Sequence, residues 1–189
     1  MQLAVVCAPL RRGWSRWLHK SMSRMLGSSS PCPVLVVRPG EKSWQPRRAL
    51  VALDGSTYAE KAVDRALEVL RGKPAQLLML AATGSSASQP GDPDFALREA
   101  QMARLNAYLT TRTRELENPD LIVGWRLEDG PAADSVLEWA DRERADFIAL
   151  ATRGPDGLVS WLAGSVARSL LDRSRRPLLL VTPQSRSTS

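Results

Sequence analysis

The sequence from Ala49 to Ser56 reads ALVALDGS, a short apolar run that ends in a polar turn. Such a run is typical of a buried strand in a parallel sheet that turns directly into a helix. Ser56 or Thr57 can cap that helix, and Glu60 is placed to complete a capping box on Thr57. The apolar residues that follow recur at steps of three and four, which predicts one helical face against a sheet. They are Ala59, Ala62, Val63, Ala66, Leu67 and Leu70.

Outward from this unit, strands and helices alternate along the chain. The further strands are predicted at 76–82, 121–127, 146–151 and 177–182, and the further helices at about 95–116, from 131 onwards and at 165–173. Connections of this length favour crossovers, so we expect an α/β fold with a doubly wound, five-stranded parallel sheet. The long second helix should turn these apolar residues mostly inward: Leu97, Met102, Leu105, Tyr108, Leu109 and Leu116.

Length and composition are those of a globular protein of one domain and a fraction. The 189 residues are 43% hydrophobic and 24% charged, with a net charge of +6. Residues 1–48 carry nine basic side chains and one acidic one, so the excess positive charge lies there. No RNA-binding motif or recognition helix accompanies this charge, which favours a solvated face that docks on an acidic neighbour over a nucleic-acid partner.

Membrane and metal partners are not expected either. The apolar run within Met1–Leu10 is too short for a membrane span or a signal sequence. Cys7, Cys32 and His19 lack the spacing of metal ligands. Because two cysteines make no disulfide framework, a reducing cytoplasm is the expected compartment.

The chain contains an internal repeat at an offset of 144 residues. Residues 13–39 align without a gap on residues 157–183, and the identical pairs include Trp17 with Trp161 and Pro33 with Pro177. The segment from Leu3 to Val6 falls opposite Phe147–Leu150. The N-terminal segment is therefore predicted to be a strand, loop, helix and strand whose first half is missing. The predicted organisation is a partial repeat at 1–45, a complete domain at 46–184 and a disordered tail at 185–189.

A piece of about forty residues cannot bury a core of its own. Its last strand, at 33–38, would expose an open edge unless it is paired. We expect it to pair antiparallel with the equivalent strand at 177–182 across a pseudo-twofold axis, within one chain or between the chains of a homodimer. The alternative is a disordered leader or a misplaced start codon.

The sequence from Ala151 to Ser165 reads ATRGPDGLVSWLAGS. Glycines let the backbone approach a phosphate, and Gly164-Ser165 at a helix N-terminus offers free amides, a hydroxyl and the positive end of the helix dipole. The loop follows a strand of the predicted sheet, and ligands of such sheets bind beyond the carboxyl ends of the strands. These features favour an anion, but turns use glycines constantly, so the pattern by itself indicates an ordinary turn more often than a phosphate site.

The stretch from Arg48 to Pro183 resembles the universal stress protein family, whose fold is of the adenine nucleotide alpha hydrolase type, similar to the Rossmann fold. The matching features are the strand ending Val-Ala-Leu-Asp-Gly-Ser, the helix rich in Ala and Glu, the strand Ala-Asp-Phe-Ile-Ala-Leu and the glycine loop. Nucleotide-binding members carry Gly-x-x-Gly, nine residues and then Gly-Ser or Gly-Thr. Gly154, residues 155–163 and Gly164-Ser165 fit this spacing, whereas Ala151 stands in place of the first glycine.

The resemblance implies a site for ATP or a related adenine nucleotide. Asp54 would face the adenosine and help to hold Mg²⁺, and backbone near Leu80 would receive the edge of the adenine. Ala52 and Leu53 would line the base pocket. The phosphates would lie in the loop that begins after Ala151, among Arg153, Gly154, Gly164, Ser165 and Val166. From the residues alone, Asp54 is equally a turn residue and Ser165 equally a plain N-cap.

The N-terminal repeat lacks this pattern, since Leu10 and Lys20 stand opposite Gly154 and Gly164. One nucleotide site per chain is therefore expected.

The expected function is that of a cytoplasmic stress-response or signalling protein that binds ATP and passes that state on through its assembly surface. The alternative is a nucleotide-free interaction module of the same fold. The sequence shows no Walker lysine, no paired carboxylates beside the loop and no nucleophile with a partner base, so slow ATP hydrolysis is the most that is expected. An adenylyl-transferring or ATP-pyrophosphatase enzyme needs a different loop where residues 54–57 read DGST.

Overall fold

Seven strands form one sheet in the computed structural model, which describes residues 3–7, 33–39, 44–83, 95–151 and 165–181. In chain order the strands are β1 Ala4–Cys7, β2 Val34–Val37, β3 Arg48–Leu53, β4 Ala75–Ala82, β5 Leu121–Glu128, β6 Phe147–Ala151 and β7 Leu178–Val181. The described helices are α1 Thr57–Leu70, α2 Phe95–Leu116, α3 Ala132–Arg142 and α4 Ser165–Arg173.

The order across the sheet is β1-β2-β7-β6-β3-β4-β5, and the last five strands run parallel to one another. Helices α1 and α2 pack on one face of the sheet, and α3 and α4 pack on the other. This arrangement confirms the predicted doubly wound fold, and the strands β1 and β2 extend its five-stranded sheet to seven.

The central strands are apolar at almost every position because both of their faces are covered. Val51 and Phe147 lie in the core beneath α1 and α2, whereas their neighbours Leu50 and Ile148 lie in the core beneath α3 and α4. Adjacent residues of a strand point to opposite faces, so a continuous apolar run serves both cores.

Ser56 caps α1, and Thr57 is the first residue of that helix. Ser56 Oγ accepts a hydrogen bond from the Ala59 amide at 3.3 Å. The alternative prediction, a capping box of Glu60 on Thr57, is wrong. Glu60 instead accepts a hydrogen bond of 3.0 Å from Arg112 Nε of α2, which ties the two helices of this face together.

The limits of α2 agree with the prediction, but Leu97 does not lie on its buried face. At about 100° per residue, Leu97 sits roughly 100° from the centre of the buried stripe, and 71% of it is exposed. Arg98 occupies the stripe in this first turn, with a side chain only 12% exposed. The other apolar residues predicted to face inward are buried or half-buried: Met102, Leu105, Tyr108, Leu109 and Leu116.

The N-terminal fragment, defined here as β1 and β2, extends the sheet beyond β7. The two strands of the fragment run parallel, and β2 pairs antiparallel with β7, as the repeat predicted. The register is centred on Leu35 opposite Leu179, with one further residue pair on each side. Because these two leucines are equivalent positions of the 144-residue repeat, the pairing has local twofold symmetry.

Arg38, directly after β2, fastens the fragment to α4. Its Nη2 donates to the Leu171 carbonyl at 2.8 Å and its Nε to the Ser174 carbonyl at 3.0 Å. The last carbonyls of a helix have no intrahelical partner, and a cation is favourable beside them. Burial lowers the pKa of Arg38, while the carboxylate of Asp172 opposes that effect.

The described ranges also bear on the membrane and domain predictions. No helix there combines the length and the apolar character needed to cross a membrane. The predicted helix of the N-terminal repeat and the tail at 185–189 fall outside those ranges, and the domain limits at 45 and 184 remain predictions.

Candidate functional site

The candidate site lies at the carboxyl edge of the sheet, between β3 and β6. β3 ends at Leu53 and β6 at Ala151, and the register places Ala52 beside Leu150. From β3 the chain goes on to β4 and β5 on one side, and it returns to β6 and β7 on the other. The crossovers diverge at this point, which leaves a crevice of the kind that holds ligands in open α/β sheets.

Three side chains form a row across this crevice, on the face covered by α3 and α4. Ala52 lies between Leu80 of β4 and Leu150 of β6. Leu80 and Leu150 are buried, whereas Ala52 is half-buried and offers only a methyl group. Because the Ala52 side chain is the smallest of the three, the apolar row is lowest there, and this low point, defined here as the recess at Ala52, suits a flat ring.

Leu53 is the last residue of β3, whereas Leu80 lies two residues before the end of β4. The Leu53 side chain is buried in the core beneath α1 and α2, on the face opposite to Ala52. Leu80 lies inside β4, in register with Ala52 on one side and Arg126 on the other. The strand continues to Ala82, so its end extends beyond the end of β3.

The turn after β3 carries the predicted acidic residue. Asp54 is exposed, and its Oδ1 accepts a hydrogen bond from the Ser56 amide at 2.9 Å. Gly55 between them has a φ of +77°, at which a residue with a side chain would be strained. Asp54 is therefore a turn residue, and it directly follows the end of β3 beside the crevice.

Ser165 and Val166 begin α4 at this same edge. Because α4 connects the carboxyl end of β6 to the start of β7, its N-terminus lies on the carboxyl side of the sheet. Ser165 is exposed, and Val166 is half-buried against the core beneath α3 and α4. The first four amides of a helix have no intrahelical acceptor and attract anions. The other predicted residues of the loop, Arg153, Gly154 and Gly164, lie outside the described residues.

A polar cluster that the sequence did not predict lies at the ends of β4 and β5. Asp129 Oδ1 accepts a hydrogen bond from Thr83 Oγ1 at 2.8 Å and pairs with Arg98 Nη2 of α2. The hydrogen bonds from Thr83 and then Arg98 hold the pKa of Asp129 below its ordinary value. The one signal in the sequence was the turn at 129–131, which reads DGP and follows a predicted strand.

The chemistry offered by the described residues is that of binding. The recess at Ala52 suits an apolar ring, and the amides of α4 suit a negative group. No group of three or more His, Cys, Asp or Glu in the described ranges could hold a metal ion.

Comparisons with known proteins bear on this fold and this edge. The model of the Universal stress protein family matches residues 46–182. A universal stress protein of Thermus aquaticus is 30% identical over 137 residues, which make up 70% of this chain and 96% of that protein.

Solved structures show the same architecture. A universal stress protein from Archaeoglobus fulgidus superposes with a TM-score of 0.61 and 20% identity over 95% of this chain, which spans 60% of that chain. A universal stress protein family protein from Arabidopsis thaliana, solved with AMP bound, superposes with a TM-score of 0.53 and 18% identity over 76% of this chain and 96% of that one.

Proposed function

The chain belongs to the universal stress protein family, and on that premise we propose that it binds an adenine nucleotide, ATP in the first place, in the crevice between β3 and β6. The observation that carries the proposal is that an apolar recess at Ala52 and the N-terminus of α4 at Ser165 lie on one edge of the sheet. The recess suits a base and the helix amides suit phosphates. The AMP bound by the Arabidopsis thaliana relative supports an adenine nucleotide as the ligand class.

The proposed roles follow from these positions. The adenine lies against Ala52, with the backbone of Leu53 and Leu80 near its edges, and the ribose lies towards Asp54. The phosphates lie in the loop that begins after Ala151, among Arg153, Gly154, Gly164, Ser165 and Val166. The exposed Asp54 supplies one carboxylate, and Mg²⁺ bound there would complete its shell with phosphate oxygens and water, as this ion commonly does.

The same proposal includes one site per chain and a role in stress response or signalling in the cytoplasm. The family supports the stress-response role, and the small number of cysteines supports the compartment. Because β2 pairs with β7, that edge of the domain's five-stranded sheet is already covered. The nucleotide-dependent state would therefore pass to partners through other surfaces.

A second candidate is a nucleotide-free interaction module. The observation in its favour is Ala151, whose methyl group stands where nucleotide-binding members have the first glycine of the loop. In this reading the loop is an ordinary turn, and the fold works through strand pairing such as that between β2 and β7.

Retention of labelled ATP by the purified protein distinguishes the two candidates. Gly164→Asp should abolish binding, because a carboxylate would face the phosphates. Ser165→Ala should weaken binding about tenfold or more, the usual effect of losing a hydrogen bond to a charged group. Ser169→Ala is the matched control, since this serine lies one turn further along α4, where its Oγ accepts from Arg173.

Equal retention by the wild type, Gly164→Asp and Ser165→Ala would eliminate the loop as a phosphate site. No retention by the wild type would favour the interaction module. Competition by unlabelled AMP and GTP then shows whether the base or the phosphates dominate recognition.

A further inference from the structure

Helix α2 contacts the turn that carries Asp54. A methyl group added to Gly55 would lie 2.9 Å from Leu105 Cδ2, closer than carbon atoms pack. Leu105 is itself buried, with 6% of its surface exposed. The backbone of the turn and the side chain of Leu105 are therefore packed against each other.

Hydrogen bonds hold the turn together and join it to the start of α1. The Ser56 amide donates to Asp54 Oδ1, and Ser56 Oγ in turn caps α1. With Gly55 held at a positive φ between them, the three residues form a short, internally bonded unit. Because Leu105 of α2 packs against Gly55, a movement of this unit would change its contact with α2.

Helix α2 is also tied to the carboxyl edge at its first turn. Arg98 pairs with Asp129 after β5, and Asp129 accepts a second hydrogen bond from Thr83 after β4. The helix thus meets the ligand edge of the sheet at two places about two turns apart, through Arg98 and through Leu105.

We propose that Leu105 is a positioning residue for the nucleotide site, which holds Asp54 in place through Gly55 and couples occupancy of the site to the position of α2. This inference rests on the proposed function and adds a mechanism by which the bound state leaves the crevice. A nucleotide that engages Asp54 stiffens the turn, and the stiffened turn holds Leu105 and its helix. Conversely, a partner that shifts α2 alters nucleotide affinity, because coupling between two sites is reciprocal.

The test compares two leucines of one helix by calorimetric titration with ATP. Leu105→Ala should weaken ATP binding about fivefold, within the range of coupling that contacting residues show. Leu109→Ala is the matched control, since Leu109 is equally apolar, is buried one turn further along α2 and lies in the same core. It should lower the unfolding midpoint as much or more and leave the ATP affinity within about twofold of wild type.

A double-mutant cycle tests the contact itself. Gly55→Ala should lower both the unfolding midpoint and the ATP affinity, because alanine is strained at a φ of +77° and because its methyl group meets Leu105 Cδ2. Combined with Leu105→Ala, which removes that atom, the Gly55→Ala change should cost less than it does alone. Leu105→Val serves the same purpose if Leu105→Ala does not fold.

The outcomes separate the two proposals. Wild-type protein that binds no ATP would defeat the proposed function, and the cycle in unfolding midpoints would still decide whether Leu105 sets the turn. Wild-type binding with an unchanged affinity in the Leu105→Ala variant would overturn this inference alone. Strictly additive effects in the double variant would also overturn it.

Discussion

The N-terminal fragment and the segment that it repeats, β6 to β7, share the same strand pairing. The four residue pairs of β1 with β2 are those of β6 with β7 shifted by 144 positions, from Ala4 opposite Val34, which matches Ile148 opposite Leu178, onwards. Even the hydrogen bond from the Ala4 amide to the Pro33 carbonyl, 3.0 Å, has its counterpart of 2.9 Å from Ile148 to Pro177. The fragment is thus a structural copy and not only a similarity of sequence.

The two copies differ in what surrounds them. β6 is paired on both sides, with β7 and with β3, whereas β1 is paired with β2 alone within the described part of the chain. In sequence, the copy also has Leu10 and Lys20 where the domain has Gly154 and Gly164. Strand pairing and the proposed ligand site therefore have separate requirements. Pairing needs only apolar residues in register, as in β1 and β2, whereas the proposed phosphate site depends on glycines that the N-terminal repeat lacks in sequence.

The largest expected difference between the copies is in folding. Leu179→Asp should cost more than about 4 kcal/mol, since it puts an unpaired charge in the core of the complete domain. Leu35→Asp, at the equivalent position in the fragment and equally buried, should detach the fragment and leave the domain with a cooperative transition. Urea unfolding followed by circular dichroism measures both.

These two variants are matched by the repeat, so each is the control for the other. If both lose the cooperative transition, the fragment and the domain form one folding unit, and the comparison between them fails.

A smaller effect is expected at the fastening between the copies. Arg38→Ala removes two hydrogen bonds to carbonyls at the end of α4 and should cost about 1 to 2 kcal/mol. Arg175→Ala is the control, because Arg175 is exposed just beyond the same helix end, and a change there should stay within about 0.5 kcal/mol. Thermal unfolding of both variants and the wild type measures these losses. Equal losses of stability in the two variants would show that the Arg38 hydrogen bonds do not stabilise the fragment.

The smallest effect is expected from a group that the repeated unit does not contain. Hydrogen bonds from Thr83 and Arg98 lower the pKa of Asp129 in the folded protein. The ionised Asp129 therefore stabilises the fold fully above the ordinary carboxyl pKa, about 4. This stabilisation is lost as the pH falls through the lower pKa of the folded state. Asp129→Asn should flatten this decline in the unfolding midpoint. The effect should be small, since the carboxylate is exposed.

The control for this titration is Asp120→Asn, which changes an exposed aspartate just before β5. The unfolding midpoint of this variant should decline with falling pH as that of the wild type does. A wild-type decline that persists unchanged in Asp129→Asn would show that other carboxylates govern acid stability.

The sequence predicted the elements of the domain closely but their side-chain partners less well. The limits of β3 and α2 were found from apolar runs and periodicity, because burial on one or two faces leaves those patterns directly in the sequence. Leu97 was misplaced since an apolar residue near the start of a helix looks like part of the stripe. Arg98 has that position because it lies seven residues, almost two full turns, before Leu105, and its side chain pairs with Asp129 there.

The candidate site divides in the same way. The end of a strand and the start of a helix, which local sequence reveals, indicated Asp54 and Ser165, whereas Ala52 was indicated only by the resemblance to the family. The contact of Gly55 with Leu105 and the cluster of Thr83, Arg98 and Asp129 join segments far apart in the chain. No local pattern records which of them meet.

Local patterns in the chain are sufficient to locate the alternating strands and helices, the repeat at 144 residues and the edge of the sheet that carries the candidate site. These follow from periodicity and composition, which act over a few residues at a time. Folding of the whole chain sets the order of the strands, the register of Leu35 on Leu179 and the contact of Leu105 with the turn. Those features depend on the packing of distant segments, and packing is a property of the assembled core and not of any one stretch of chain.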